Sequence, residues 1–501
     1  MLNWLLAVAT GGLLVLIFPR FNVVWLAPFA LAPLLIAAAR EARPLRRFLM
    51  GWLCGGVFWC GVCYWIQFVL AVHGGLGEAL GGAVFLLFCA IKALHLAVFT
   101  LLAGILMRRT QGVPRAIPAV AALWVAVEVT HGPLGFAWLA LGNAGIDMGV
   151  PLRLAPLAGV YGISFVFAAM SVAIAGIALR RPRVELLWLA PLPFLAFLPT
   201  MPDTRPGQEH ALLVQPNISE TEQWTDDSVI RQGNALADAT LRGVLMAGER
   251  RTEIVVWPED PAPLYYYQDA HFHDEVNRLA QVTHAYMLVG TVARAADGAP
   301  LNSAVLVSPA GKEVSRYDKV NLVPFGEFVP WPLGKIANTI SSEAGDFERG
   351  KRVVTSPMGS HYIGTFICYE SVFPNFVRQF VRDGADVLFT ISNDGWFGKS
   401  AARDQHLSIV RMRAAENRRW ILRAANDGVT ATIDPAGRVM GHLPFYEAAT
   451  SYTAFNFIAQ QTVYTRFGDW FPGLCALIAA AGLIGPLAAV RMRESRRSAK
   501  S

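Results

Sequence analysis

Eight apolar stretches, parted by short arginine clusters, constrain this chain more than any other feature. They fall at 4–18, 22–39, 49–71, 80–107, 117–142, 154–179, 185–201 and 470–490. A bilayer core is crossed by a helix of about 20 apolar residues, so the first stretch is short and the rest are adequate. With 54% of residues hydrophobic and 16% charged, more apolar surface exists than one water-soluble core could hide. The pattern predicts a multi-pass α-helical membrane domain of about eight spans.

Arg40, Arg43, Arg46 and Arg47 follow the second stretch, and Arg108, Arg109 and Arg115 the fourth. Arg180, Arg181 and Arg183 follow the sixth, and Arg491, Arg493, Arg496 and Arg497 the eighth. Basic residues are retained preferentially on the cytoplasmic side. If Met1 starts inside, every even-numbered stretch returns the chain to the arginine-rich side, with Arg20 and Arg153 as mild exceptions. Residues 205–468 are then expected outside the cytoplasm. The same clustering accounts for the formal charge of +6 as a topology signal, and no nucleic-acid partner is implied. Leu5 to Leu16 resembles the apolar region of a signal peptide. It has no basic stretch before it and runs directly into the next apolar segment, so an uncleaved helix is expected.

Composition changes abruptly near Pro202, where Met201 to His210 reads as a linker. Beyond it, short β-rich runs at 211–215, 253–257, 286–291, 303–308, 362–368, 386–392 and 420–425 alternate with helical candidates at 227–248, 269–282, 371–382 and 403–419. That alternation predicts a layered α/β domain. The expected division is a membrane domain of seven helices at 1–204, an extracytoplasmic catalytic domain at 205–468, a last span at 469–490 and a basic cytoplasmic tail at 491–501.

Cys54, Cys60, Cys63, Cys89 and Cys475 lie inside predicted spans, where a small buried hydrophobe is the ordinary role. Cys368 is the single cysteine of the outer domain, without a disulfide partner there although an extracytoplasmic compartment is usually oxidising. It ends the apolar run Ile363-Gly-Thr-Phe-Ile-Cys368, just before a predicted helix, where a nucleophile can be exposed. A free thiol has a pKa of about 8.5 and needs a neighbouring base or cation to react at neutral pH. An inert buried cysteine is the alternative on these facts alone.

Two further segments bear on that choice. In Ile254-Val-Val-Trp-Pro-Glu259 a carboxylate follows a strand ended by proline, at the sheet edge where α/β folds carry their sites. In Tyr317-Asp-Lys319-Val-Asn-Leu-Val-Pro-Phe-Gly-Glu327-Phe-Val-Pro330 one lysine and one glutamate interrupt a loop rich in proline and aromatics. For either residue alone, a surface ion pair is the bland alternative.

Taken together, Trp257-Pro-Glu259, Asp318-Lys319 and Ile367-Cys368-Tyr-Glu370 resemble the glutamate, lysine and cysteine motifs of the nitrilase (carbon-nitrogen hydrolase) superfamily. Asn302-Ser303 and Arg413-Ala-Ala-Glu416-Asn417 are similar to its flanking motifs, and the resemblance covers 210–440. Within it, Leu322 to Pro330 and Cys368-Tyr369-Glu370-Ser371 look most like the apolipoprotein N-acyltransferase family. The resemblance implies an αββα sandwich domain set before the last of eight spans in a bacterial inner membrane, facing the periplasm.

It also implies a ping-pong acyl transfer with Glu259, Lys319 and Cys368 as catalytic residues. A phospholipid, phosphatidylethanolamine, would give its sn-1 acyl chain to Cys368 as a thioester. The α-amino group of a lipoprotein's diacylglyceryl-cysteine would then take it. Glu259 would move the protons, and Lys319 with a backbone N–H near Tyr369 would hold each oxyanion. Glu327 matches a family position that orients the lysine or assists the base, while Tyr369 and Glu370 shape the cysteine turn. Trp224, Phe325 and Phe328 are implied or candidate substrate contacts. The partners are then the phospholipid donor, the diacylglyceryl-apolipoprotein and membrane lipids; no metal or other cofactor is called for.

Phe325, Phe328, Val329, Pro330 and Trp331, with Leu264 to Tyr267, could dip into lipid headgroups, or simply pack. Lys92 and Glu128 fall inside apolar runs and need a partner or a polar cavity, each other being one possibility. Asn426-Asp427-Gly428 matches the family's turn only approximately. A membrane-tethered amidase that resolves the thioester with water is the nearest competing reading, and a non-catalytic scaffold the next.

Overall fold

The computed structural model describes residues 1–110, 115–203, 205, 207–220, 222–259, 263–324, 326–328 and 347–498, with side chains described only as far as residue 484 in the last helix. Packing divides the chain into two units. One comprises Met1–Tyr64, Gly82–Thr200 and Phe467–Ser501; the other comprises Trp65–Gly81 and Met201–Arg466.

The first unit is helical. Among the described residues, Gly77–Arg109 and Ala155–Ala178 are long and apolar enough to cross a membrane. A third span is added if Pro44–Val62 and Trp65–His73, bent by 64°, count as one. Leu2–Leu16, Ala116–His131 and Trp470–Ile484 are shorter apolar helices. Proline explains why other apolar stretches are not long helices, since it removes a ladder donor and clashes with the preceding turn. Around Pro19, Pro28 and Pro33 the second stretch forms a 3₁₀ turn, Val24–Leu26, and a nine-residue helix, Ala32–Arg40. With Pro191, Pro193 and Pro199, the seventh forms two 3₁₀ helices, Arg183–Leu189 and Leu192–Phe197, which leave Phe194 67% and Phe197 83% exposed. The last helix continues through the basic residues to Ser498.

Lys92 and Glu128, both buried, bond to other groups and not to each other. The Lys92 ammonium donates to the Phe136 carbonyl at 2.8 Å and lies over the Trp59 ring. Glu128 accepts from the Leu141 N–H at 2.7 Å and the Trp124 indole at 3.1 Å.

The second unit is built on two six-stranded sheets. The strands are β1 (Glu209–Gln215), β2 (Ile254–Val256), β3 (Tyr286–Arg294), β4 (Pro300–Val307), β5 (Glu313–Asp318), β6 (Thr355–Met358), β7 (His361–Ile367), β8 (Val387–Ser392), β9 (Ile421–Ala425), β10 (Ala431–Ile433), β11 (Val439–His442) and β12 (Ala449–Phe455). One sheet runs β12-β1-β2-β3-β4-β5, the other β11-β10-β9-β8-β7-β6. In each the central pairs, β1-β2-β3 and β7-β8-β9, are parallel.

Period-two alternation sorts the first sheet's side chains between two cores. Leu213, Val256, Leu288 and Leu306 share a core with Ile363, Phe366, Leu388 and Ile421 of the second sheet. Leu212, Val214, Val255 and Met287 pack instead with Leu236, Val276 and Leu279 from helices Asp226–Met246 and Ala270–Thr283. Val377, Phe380, Val410 and Ala414, from helices Pro374–Arg382 and Ala402–Asn417, join the second sheet. The layering is an αββα sandwich, and strands buried on both faces are accordingly apolar almost throughout. The carboxyl ends of β2, β5, β7 and β8 then carry Glu259, Lys319, Cys368 and Asn393.

Candidate active site

Cys368 leaves β7 in the left-handed region at φ 50° and opens the 3₁₀ turn Cys368–Val372. A non-glycine residue is rarely found there unless its surroundings hold it. Two buried groups do so. Glu370 accepts from the Ile367 N–H at 2.8 Å, and His406 Nε2 lies 2.8 Å from Ser371 Oγ and 3.1 Å from the Cys368 carbonyl oxygen. Burial, then the charge of Arg423, holds His406 below the ordinary imidazole value. On its other side His406 Nδ1 lies 3.2 Å from Asp394 Oδ1, so the ring links Asp394 to the cysteine turn.

Asp394 is fixed in turn by Arg423, whose Nη2 donates at 2.8 and 2.7 Å, and by the Ser392 hydroxyl at 2.8 Å. Burial works to raise this carboxyl, but Arg423 and His406 hold it far below the usual range.

Lys319 is wholly buried after β5. Its ammonium donates to Glu259 Oε1 and to Glu327 Oε1, each at 2.9 Å. Burial opposes the charge, yet the two carboxylates, with Cys368 beyond them, keep Lys319 well above its ordinary value. Asn302 Nδ2 braces the same pair, donating to Glu259 at 2.8 Å and Glu327 at 2.7 Å. Glu327 Oε2 accepts from the Val323 N–H at 2.7 Å, which closes the loop around the lysine.

The two oxygens of Glu259 are therefore not equivalent. Oε1 accepts from both Lys319 and Asn302, which fills its two lone-pair directions. Oε2 accepts from the Asn393 N–H at 2.9 Å and keeps one direction for a proton. Burial pushes the Cys368 thiol up, Glu259 adds to that, and Lys319 opposes it. The resting thiol is protonated, so a base must act as it attacks.

Glu370 joins the lysine loop to the cysteine turn. Besides Ile367 it accepts from Tyr317 Oη at 2.7 Å and from the Val320 and Asn321 N–H groups at 2.7 and 3.0 Å. Burial pushes its carboxyl up to about 7 against these donors. Tyr369 is buried with its ring edge-on to Phe373 at 5.3 Å.

The structure thus brings Glu259, Lys319, Glu327, Cys368 and Glu370 into one bonded and electrostatically coupled cluster. Trp224 is 38% exposed in the loop before helix Asp226–Met246. Phe328 is half-buried beneath the Arg349 guanidinium, 4.4 Å from its ring centre. Phe325, Val329, Pro330 and Trp331 lie outside the described residues. Leu264 and Tyr266 are buried in the helix-covered core of the first sheet, so of the two alternatives left open by the sequence they take packing; Tyr267 is 37% exposed. No local sequence motif marks Asn393, Asp394, His406 or Arg423.

A buried lysine between two glutamates beside a strand-end cysteine, on an αββα sandwich, is a carbon-nitrogen hydrolase arrangement, and the carbon-nitrogen hydrolase family profile matches residues 211–461. The profile of the apolipoprotein N-acyltransferase N-terminal domain matches residues 10–173. The apolipoprotein N-acyltransferase of Geobacter metallireducens is 34% identical, with 97% of this chain and 95% of that protein covered. That of Pseudomonas putida is 31% identical, with 96% of each covered. An amidase from Nesterenkonia is similar to 51% of this chain, at 16% identity and a TM-score of 0.39 over 93% of its own length. The chain belongs to the apolipoprotein N-acyltransferase family: it is a bacterial membrane acyltransferase.

Proposed function

We propose that this enzyme moves the sn-1 acyl chain of a phospholipid, phosphatidylethanolamine, through a Cys368 thioester to the α-amino group of a lipoprotein's diacylglyceryl-cysteine. The observation that carries the chemistry is Lys319 held between Glu259 and Glu327 next to the buried Cys368. Glu259 Oε2 takes the thiol proton as sulfur attacks the ester carbonyl. It returns that proton to the departing glycerol oxygen, so the lysophospholipid leaves neutral at that position. In the second half the same oxygen takes a proton from the amine as nitrogen attacks the thioester, and gives it to the sulfur as the carbon–sulfur bond breaks, which restores the Cys368 thiol and the Glu259 carboxylate.

Lys319, with a backbone N–H near Tyr369, stabilises the oxyanion in both halves, each donor being worth about 3–4 kcal/mol. Glu327 fixes the lysine, Glu370 and Tyr369 hold the cysteine turn, and Trp224, Phe325 and Phe328 contact lipid. We place the protein in the inner membrane with all eight apolar stretches crossing it, and the 205–468 region in the periplasm. The alternation of the arginine clusters supports that orientation.

The test is to incubate purified protein with acyl-labelled phosphatidylethanolamine and look for a hydroxylamine-labile label on Cys368. Parent protein is expected to carry it and Cys368→Ala to carry none. Adding a diacylglyceryl-cysteinyl peptide should move the label to the peptide nitrogen. Release of free fatty acid with no N-acyl peptide would make the protein a hydrolase instead.

A further inference from the structure

Glu259 Oε2 depends on one peptide N–H, that of Asn393, which leaves the end of β8 and begins the turn through Phe397. What holds that peptide is a side-chain cluster the reaction above does not use. Asn393 Oδ1 accepts from the Gly395 N–H at 3.3 Å and from Asn426 Nδ2 at 3.2 Å. The Glu220 carboxylate lies against the Asn393 side-chain amide. Asn426 Nδ2 reaches Glu220 Oε1 at 3.4 Å.

Asn426 ties the Glu220 loop down in three places. It accepts the Ile218 N–H at Oδ1, 2.9 Å away, donates to the Ile218 carbonyl at 2.7 Å, and accepts the Asn217 N–H at its own carbonyl at 2.8 Å. Its N–H donates to the Ser392 carbonyl at 3.0 Å, so one asparagine bridges β8 and the loop. Residue 395 must be glycine for the carboxylate to fit: a Cβ there would lie 2.7 Å from Glu220 Cγ and Oε1. Within the turn Asn426-Asp427-Gly428, Asn426 thus links the Glu220 loop to Asn393.

We infer that Glu220 is a positioning residue for the base: with Asn426 it fixes the Asn393 amide, so that the Asn393 N–H stays on Glu259 Oε2 and leaves that oxygen's other lone pair directed for the Cys368 proton. This rests on Glu259 and Cys368 being the base and nucleophile proposed above. A carboxamide in place of Glu220 keeps an acceptor beside the Asn393 amide, whereas a methyl group offers none. Loss of one such bond is worth about tenfold in rate.

The experiment measures, on the full-length protein in detergent, the rate at which iodoacetamide alkylates Cys368, read by mass spectrometry of the peptide bearing it. The rate of thioester formation from labelled phosphatidylethanolamine is followed in parallel. Glu220→Ala is expected to slow both about tenfold, and Glu220→Gln to restore both to within about twofold of parent. Asn393→Asp sets a carboxylate against Glu220 and should be slow at both steps. Asn393→Asp with Glu220→Gln, in which the new amide donates to the new carboxylate, should recover.

Parent-like alkylation in Glu220→Ala, equal slowing by Ala and Gln, or no recovery in the double variant would overturn the assignment. If both Glu220 variants alkylate normally and only raise the KM for the acceptor peptide, Glu220 binds the incoming amine and the assignment is wrong. A parent that alkylates as expected but forms no thioester would sink the acyl-transfer reading and leave the Glu220 result standing.

Discussion

Two carboxylates flank the Asn393 peptide, and they are satisfied differently. Glu259 faces the ammonium of Lys319. Glu220 meets amides, with the negative charges of Asp427, itself paired to Arg403, and of Glu259 near it. Burial first, then those charges, pushes the Glu220 carboxyl up to about 7 from its ordinary 4.5. The folded protein therefore holds this proton more tightly than the unfolded chain does. The group's contribution to stability is full below the unfolded value and is lost as pH rises through the folded one. Glu220→Gln cannot ionise, so its melting temperature should gain on the parent's between about pH 5 and pH 8. A difference that stays constant across that range would contradict this. At this scale Cys368, Glu259 and Lys319 were legible because each interrupts an apolar or proline-rich run. Asn302 was legible only as a flanking motif. Its partners Glu259 and Glu327 lie 43 and 25 residues away, and only folding reveals that one amide braces both.

The turn after β8 and the turn after β7 are locked by the same ionic cluster, since Asp394 holds His406 and His406 holds the Cys368–Val372 turn. Asp394 and Arg423 are completely buried. Arg423→Met should therefore cost about 3–5 kcal/mol, because it leaves a carboxylate in the core with its cation removed. The check is denaturant unfolding of parent and variant, and a loss below about 1 kcal/mol would mean the carboxylate protonates and is tolerated. Among the elements, β1 to β4 and β7 to β9 announce themselves as apolar, β-branched runs. β5, β6 and β10 to β12 do not. β6 is four residues with Pro357 inside, β10 is three, and most of β11 is exposed, so each takes its structure from the strand it pairs with. The helix expected from residue 371 begins at Pro374 because the cysteine turn occupies the residues before it.

At the scale of the molecule, residues 65–81 belong by packing to the unit formed by 201–466. Trp65 meets Phe397 edge-on at 4.9 Å and His73 lies 4.7 Å from the Trp396 ring, so this early segment packs on the turn that begins at Asn393. Gly398 sits at φ 56° with a Cβ position 2.7 Å from the Phe68 ring. Gly398→Ala should destabilise by about 1–3 kcal/mol through strain and overlap together. Phe68→Leu in the same protein should recover part of the loss in a thermal melt. Nothing in the sequence foretold this membership, because 49–71 reads as a single apolar run and hydropathy carries no record of the bend after Val62.

Its consequence is temporal. A ribosome completes 65–81 before it has made any of 201–466, with residues 82–200 still to come, so the segment has to persist without the surface it will cover. The hydrolase-like half, for its part, packs with a piece of chain made much earlier. Exchanging that half between two relatives by a single crossover near residue 201 would separate pieces that have to match. Such chimaeras should work only when 65–81 travels with the transplanted half.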